Sequence, residues 1–263
     1  MTGEGNLTVV KLGGSLLEEA ALRGRALEAI ATAFTRGGRL VLVHGGGKEI
    51  DKSLAALGIP KRTQGGLRVT DEATLRVVVS TLSGTVNKGL VSQLKERGVH
   101  AAGFSGADGD TLFAEFHPPV DGVDLGFVGR VVRCDPALVM ATLSAGLLPT
   151  IASIALGRDG VLLNVNADAV AAALAGALGA RRLVFLTDVE GVQDAAGNVI
   201  SSLTLAEARF LLGSPVIAGG MRPKMTACVE ALEQGVGEVV IAGPKVHATV
   251  LADGKGGTVL AAA

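Results

Sequence analysis

Lys11 closes an apolar, β-branched run, Leu7-Thr8-Val9-Val10, and two adjacent glycines, Gly13 and Gly14, follow it ahead of Ser15. A buried strand that carries one ammonium up to bare backbone N–H groups at a helix start is suited to holding phosphate. The lysine supplies a point charge, and the glycines let the backbone approach the oxygens closely. Later segments ask for the same ligand. They are His44-Gly45-Gly46-Gly47, Asn164-Val165-Asn166-Ala167-Asp168, Thr187-Asp188 with Gly191, and Gly219-Gly220-Met221-Arg222-Pro223-Lys224. Each also has a purely structural reading. Gly45 to Gly47 is an ordinary strand-to-helix turn, although three glycines exceed what a turn requires. One of Asn164, Asn166 and Asp168 is a helix cap, which leaves two polar groups with other work. Thr187-Asp188 is a turn plus cap, Lys224 a solvated helix lysine, and Arg68 a surface hairpin residue. Asn87-Lys88 and the polar loop 105–110 read as solvated or capping groups.

These residues must be positioned by alternating strands and helices. Strands are expected at 7–12, 40–44, 101–104, 148–154, 161–165, 182–186 and 238–241, with 258–260 as a closing edge strand. Helices are expected at 18–36, 48–57, 136–145, 167–178, 205–212 and 224–234, and another opens at Asp71 with Thr70 as its N-cap. Pro60 and Gly65-Gly66 suit a short hairpin over 59–69, and Asp194, Gly197 and Asn198 turn a second one within 191–200. Segments 111–115 and 127–132, separated by Pro118-Pro119 and glycines, read as a protruding antiparallel pair. The pattern is that of an α/β chain, a three-layer αβα sandwich around a mainly parallel sheet with a hairpin region at one edge. In such sheets ligands gather at the carboxyl ends of the strands, and the glycine, amide and lysine segments fall there.

The chain has 263 residues, enough for one large α/β unit with a sizeable core. Hydrophobic residues make up 48% and the mean hydropathy is +0.47, yet the longest apolar stretch, 167–186, is broken by Asp168, Gly176, Gly179, Arg181 and Arg182. A net charge of −1 gives no electrostatic case for nucleic acid or anionic lipid. Residues 1–5 lack a basic n-region, so a secretory leader is not expected. Cys134 and Cys228 read as reduced core or helix residues, and His44, His100, His117 and His247 form no metal-like spacing. No protein-bound metal is expected; one would arrive with the substrate. Neither G-x-x-x-x-G-K-S/T, G-x-G-x-x-G nor a protein-kinase HRD or DFG signature is present.

The chain resembles the amino acid kinase family, and within it the acetylglutamate kinase branch, along nearly its whole length. The resemblance rests on Lys11-Leu12-Gly13-Gly14, Val43-His44-Gly45-Gly46-Gly47, Gly66-Leu67-Arg68-Val69-Thr70, Gly84-Thr85-Val86-Asn87-Lys88 and Leu125-Gly126-Phe127-Val128-Gly129. It continues in Asn164 to Asp168, in Leu186-Thr187-Asp188-Val189-Glu190-Gly191-Val192, and in Gly219 to Lys224. It implies transfer of the ATP γ-phosphoryl group to the side-chain carboxylate of N-acetyl-L-glutamate, with Mg²⁺ carried by the nucleotide. It also implies a cytoplasmic homodimer built from a substrate and dimer lobe, about 1–165, and an ATP lobe, about 166–263. Carried over by position, Lys11 and Lys224 flank the phosphoryl group in transit and Asp168 holds both. Gly14, Gly45 and Gly46 donate N–H groups, with Gly13 beside the phosphates. Arg68 and Asn164 grip the acetylamino acid, Arg68 facing its α-carboxylate. Asp188, Val189, Gly191, Val192, Gln193, Ile217 and Met221 border the nucleotide.

The chemistry agrees with the residue content. A carboxylate with a pKa near 4 is ionised at neutral pH, so the nucleophile needs no general base, and no catalytic His or Glu stands out. Lysines, N–H groups and nucleotide-borne Mg²⁺ would spread charge off the transferring oxygens. Two features depart from the family pattern: Lys48-Glu49-Ile50-Asp51 replaces a helix start that often contains proline, and little chain precedes Lys11. The second implies an arginine-insensitive homodimer rather than an arginine-inhibited hexamer. The alternatives are a kinase for aminoadipate or glutamate borne on a carrier protein, and a non-catalytic nucleotide- or amino-acid-binding regulator. The uninterrupted Gly65–Asp71 segment favours the small acetylated substrate over the first. The presence of both lysines with Asp168 speaks against the second.

Overall fold

The computed structural model describes residues 7–214, 217 and 219–262. The first βα units are β1 (Leu7–Leu12), α1 (Gly14–Glu18), α2 (Ala20–Thr35), β2 (Arg39–His44) and α3 (Gly47–Ala56). A hairpin of β3 (Thr63–Gln64) and β4 (Leu67–Arg68) leads to α4 (Glu72–Val79), a π-helical segment Ser80–Val86, and α5 (Asn87–Glu96). Next come β5 (Ala101–Ser105), β6 (Leu112–Phe116), β7 (Val128–Cys134), α6 (Ala137–Ser144), β8 (Leu148–Ala152), β9 (Ile154–Leu156), β10 (Leu162–Val165) and α7 (Ala167–Ala177). The chain continues through β11 (Arg182–Leu186), β12 (Ser202–Thr204), α8 (Leu205–Leu212), α9 (Met221–Glu233), β13 (Glu238–Ala242), α10 (His247–Asp253) and β14 (Thr258–Ala261).

Eight strands form one sheet in the order β12-β14-β13-β11-β1-β2-β8-β5. Every pair from β13 to β5 is parallel; β14 runs antiparallel to β13 and carries β12 with it. The strands are apolar on both faces, as a sheet covered by helices on two sides requires. On one face Val9, Val41, Val43, Leu183 and Phe185 pack with α7 residues such as Val170 and Leu174 and α9 residues such as Met225 and Cys228. On the other, Val10, Leu12, Leu42, Val184 and Leu186 pack with Leu27 and Ile30 of α2, Leu90 and Leu94 of α5, and Val250 of α10. This is the expected mainly parallel αβα sandwich.

Four local expectations are corrected. The antiparallel pair forms as β6 and β7, but it does not extend the large sheet; with β9 and β10 it closes a small four-stranded barrel. The strand over 161–165 therefore belongs to that barrel, and 148–154 breaks at Ser153 into a sheet strand and a barrel strand. Strand β14 is not the edge, because β12 pairs outside it. The helix expected over 18–36 is preceded by the short α1 and begins after Glu19. The cap of α4 is Asp71, whose carboxylate accepts from Thr74 N–H at 2.9 Å. Thr70, fully buried, instead donates its hydroxyl to Arg68 O at 2.8 Å. Asp71→Ala is expected to lower stability by about 1 kcal/mol and Asp71→Asn by a few tenths, measured by urea unfolding.

Candidate active site

Period-two alternation explains where Lys11 points. Val9 and Lys11 share a face of β1, and Val9 faces α7 and α9, so the Lys11 ammonium is delivered to the first turns of those two helices. There it meets Asp168, Nζ to Oδ1 at 2.6 Å, while Lys224 Nζ lies 3.3 Å from the other carboxylate oxygen. All three residues are buried, at 7% exposure for Lys11 and Asp168 and 8% for Lys224. The solvated reading of Lys224 is thereby overturned. Its ammonium also sits 5.1 Å from the centre of the Phe185 ring, and Phe185 is the β11 neighbour of Lys11.

Helix ends sharpen the electrostatics. Asn166 is the N-cap of α7 and accepts from the N–H groups of Asp168 and Ala169 at 2.8 and 3.3 Å. Asp168 thus stands in the first turn, where a carboxylate is favoured by the helix dipole. Lys224 stands in the first turn of α9, where a cation is disfavoured by that helix's own dipole. Burial pushes the Lys11 pKa down against the pull of Asp168. Burial alone would raise the Asp168 carboxyl, but Lys11 and Lys224 together hold it below the usual carboxylate range. Two ammonium groups share the one carboxylate in direct contact, and the Asp188 carboxylate acts on both without a direct ion pair. Such a cluster beside a cavity can attract an anion.

The cavity beside this triad has a volume of about 250 Å³. Lys11, Asp168, Gly14, Gly45, Gly46, Arg68 and Asn164 all line it, together with Gly47, Asn166, Ser153 and a few apolar side chains. The structure therefore brings the predicted catalytic and substrate residues to one place, with Lys224 joined through Asp168. Arg68 donates from Nη2 to Gly47 O at 2.9 Å and to Asp51 Oδ1, while Nη1 is buried without a protein partner. Asn164 donates to the Thr70 hydroxyl at 3.2 Å. Gly13 plays a different part from Gly14. Its N–H is committed to Leu186 O at 2.8 Å, and a Cβ there would stand 2.8 Å from the same oxygen. It lets β1 and β11 stay close at their carboxyl ends.

The expected nucleotide residues lie outside the cavity lining, Asp188 to Gln193 after the end of β11 and Ile217 and Met221 before and at the start of α9. Asp188 accepts from the Thr187 hydroxyl at 3.0 Å and feels the field of Lys224. Burial opposes its ionisation, but these hydrogen bonds and that charge hold its carboxyl below the ordinary range. Gly191 and Val192 are buried, and Val192 N–H donates to the Thr258 hydroxyl at 2.8 Å. Gln193 is exposed and pairs with Val199, which forms the small hairpin expected there. Ile217 is buried and Met221 half-buried at the start of α9; between them, Ala218 lies outside the described residues. Sequence reasoning missed Asp51 and Ser153, and it misassigned Thr70 and Asn87. Among the described residues no cluster of His, Cys, Asp and Glu is arranged to hold a metal ion.

A sequence profile of the amino acid kinase family matches residues 6–243. An acetylglutamate kinase from Sinorhizobium medicae (strain WSM419) is 42% identical over 259 residues, covering 94% of this chain and 88% of that protein. A crystal structure from Streptococcus mutans UA159 superposes with a TM-score of 0.84 at 30% identity, covering 98% of this chain and 99% of that one. The N-acetylglutamate synthase from Neisseria gonorrhoeae, complexed with coenzyme A and N-acetyl-glutamate, gives the same TM-score at 29% identity. That match covers 97% of this chain and 59% of the longer synthase.

The triad makes a stability prediction. Asp168→Asn leaves two buried ammonium groups side by side and is expected to cost about 3–5 kcal/mol at neutral pH. The folded pKa of Asp168 lies below its unfolded value, so this contribution is present above about pH 4 and is lost as pH falls through the folded pKa. Chemical denaturation of both proteins across the acid range should show the gap narrowing towards low pH; a gap independent of pH would count against the ion triad.

Proposed function

The chain belongs to the amino acid kinase family, and we propose that it transfers the γ-phosphoryl group of ATP to the side-chain carboxylate of N-acetyl-L-glutamate, giving an acyl phosphate. One observation carries the assignment of roles: Lys11 and Lys224 meet on Asp168 at the edge of a cavity that also holds Arg68, Asn164 and the Gly45–Gly46 backbone. ATP enters with Mg²⁺ as its counter-ion, and the protein adds charge around it. Residues to about 165 would hold the acetylamino acid, and residues from about 166 the nucleotide. Most of the cavity lining comes from the first part, and Asn166, Ala167 and Asp168 come from the second.

The roles follow from the charges. The attacking carboxylate is already ionised at neutral pH, so no residue has to remove a proton. The obstacle is the approach of one anion to another. Arg68 fixes the α-carboxylate through its guanidinium, and Asn164 fixes the acetylamido end. This leaves the side-chain carboxylate directed at the lysines. As the phosphoryl group moves, charge spreads over its equatorial oxygens, and Lys11, Lys224 and the N–H groups of Gly14, Gly45 and Gly46 neutralise it. Asp168 does not react; it fixes the separation and direction of both ammonium groups. Asp188, Val189, Gly191, Val192, Gln193, Ile217 and Met221 border the nucleotide, where exposed Val189 and Val199 offer apolar surface to a base. The proposal includes a cytoplasmic homodimer, which sedimentation tests, hexamers being the contrary result. Among the described residues no helix is long and apolar enough to cross a membrane.

Purified protein with Mg-ATP and N-acetyl-L-glutamate is expected to release ADP and form a hydroxylamine-trappable acyl phosphate. Absence of turnover, or a preference for carrier-borne aminoadipate or glutamate, would overturn the assignment. Each lysine is expected to lower the barrier by about 3–4 kcal/mol, so Lys11→Ala or Lys224→Ala should cut kcat about a hundredfold or more. Turnover within a few-fold of wild type would reject that role.

A further inference from the structure

Below the glycine turn, on the sheet face opposite Lys11, lies a buried polar chain that the phosphoryl-transfer roles do not use. His44 is the last residue of β2 and follows Leu40 and Leu42 onto the α5 side. It is fully buried, as is Asn87, the first residue of α5. Asn87 Nδ2 lies 2.9 Å from His44 Nε2 and 2.9 Å from Thr150 O, while its Oδ1 accepts from Lys88 Nζ at 3.2 Å. These partners settle the direction of the amide. Thr150 O can only accept and the Lys88 ammonium can only donate, so the nitrogen of Asn87 is the atom facing His44. His44 Nε2 must then accept, and the ring proton sits on Nδ1, which lies 2.9 Å from Gly45 O.

That carbonyl belongs to the Gly45–Gly46 peptide, which is trans, so its N–H points away from His44. Both glycines line the cavity, and His44 does not. We propose that His44, held by Asn87 in its neutral Nδ1–H form, is a positioning residue that fixes the Gly45–Gly46 peptide with the Gly46 N–H turned into the cavity. The inference rests on the phosphoryl-transfer reading for its effect on rate, but not for the tautomer.

Independent features support this arrangement. The π-helical segment Ser80–Val86 ends directly at Asn87, and a Cβ on Gly46 would come within 2.9 Å of Leu82 and 3.1 Å of Val86 of that segment. The widened turn therefore packs on the glycine peptide and delivers the asparagine beneath it; such π-turns are frequent at functional sites. On the other side of Asn87, Gly103 of β5 has no room for a side chain because Asn87 Oδ1 occupies the place of its Cβ. Burial, aided by the Lys88 charge, lowers the His44 pKa to about 4 despite the bond to Gly45. The imidazole therefore stays neutral wherever the enzyme works, and it acts through direction rather than by exchanging a proton.

The test uses the side-chain amide as a stand-in for one ring nitrogen or the other. In Asn the amide nitrogen overlies Nδ1, and in Gln it overlies Nε2. His44→Gln is expected to lower kcat about tenfold or more while KM for both substrates stays within about threefold, because a misdirected N–H is felt in the transition state. His44→Asn is expected to recover most of that loss. Folding of both variants is checked by thermal unfolding. Long-range ¹H–¹⁵N NMR of the histidine-labelled full chain gives a readout without turnover: His44 should show the neutral Nδ1–H pattern from about pH 5.5 to 8, where an ordinary histidine titrates. An imidazolium or Nε2–H signal at pH 7, or a folded His44→Gln with turnover within about twofold of wild type, would overturn the proposal. If the wild type fails to phosphorylate acetylglutamate while the Nδ1–H signal is present, the functional reading fails and the tautomer assignment stands.

Discussion

The arrangement of the site depends on one constraint: two ammonium groups are kept out of water beside a single carboxylate. Lys11, Asp168 and Lys224 come from β1, α7 and α9, far apart in the chain, and each is more than nine-tenths buried. Removing such charges from water costs several kcal/mol per ion, and one carboxylate does not offset two ammonium groups. The arrangement is tolerated because the sheet and both helices fix the three groups from independent directions. Alternation along β1 sets the face of Lys11, the Asn166 cap sets the start of α7, and the first turn of α9 carries Lys224 inward. What makes the triad unfavourable for the empty protein makes it useful. The ammonium groups are preorganised, which lowers the reorganisation cost that an incoming anion would meet.

The same strands separate two tasks across the sheet. Lys11 pairs with Val43 and Leu12 pairs with His44 in the β1–β2 register, so a cation and a neutral imidazole sit one residue apart and point to opposite faces. Charge is gathered on the α7–α9 side, and backbone direction is fixed from the α5 side. The glycine turn lies between them and takes instructions from both. This division fits the physical limits of each group. A lysine near the transferring oxygens contributes through its charge, whereas a peptide N–H contributes only if its dipole is aimed correctly. Aiming requires a rigid, dry contact behind the peptide, and a buried histidine locked by an asparagine provides it.

Much of this was legible in the residues. The β-branched run into Lys11, the glycines after β2 and the amide-rich entry to α7 marked residues that the structure brings together beside one cavity, and parallel strands with alternating helices announced the sandwich. The resemblance to a family then supplied roles that composition could not. What stayed hidden was set by pairing between distant segments. Nothing local distinguishes a strand at 162–165 that joins the main sheet from one that closes a barrel with β6, β7 and β9. Nothing local shows that β12 lies outside β14. Asn87 reads as an ordinary polar residue opening a helix, because its partners, His44, Thr150 and Phe104, are 43, 63 and 17 residues away. Thr70 and Asp71 are both good caps, and the choice was made by Asn164, which takes the Thr70 hydroxyl into the site.

Arg68 shows how a cavity residue is oriented by shared contacts. Asp51 pairs with its Nη2, and Lys61 pairs with the other oxygen of Asp51 at 2.7 Å, so that carboxylate is shared and still about a quarter exposed. Gly47 O takes part of the same nitrogen. The guanidinium is thereby oriented through one edge while Nη1 remains buried and unpartnered. Nη1 has almost no solvent-accessible surface, so a carboxylate ligand reaches it only with a shift of the surrounding side chains, and the planar fork then fixes its direction. Asp51 and Asp168 play comparable structural parts, since each carboxylate pairs with two cations, Arg68 and Lys61 in one case and Lys11 and Lys224 in the other, and so fixes one cation that lines the cavity.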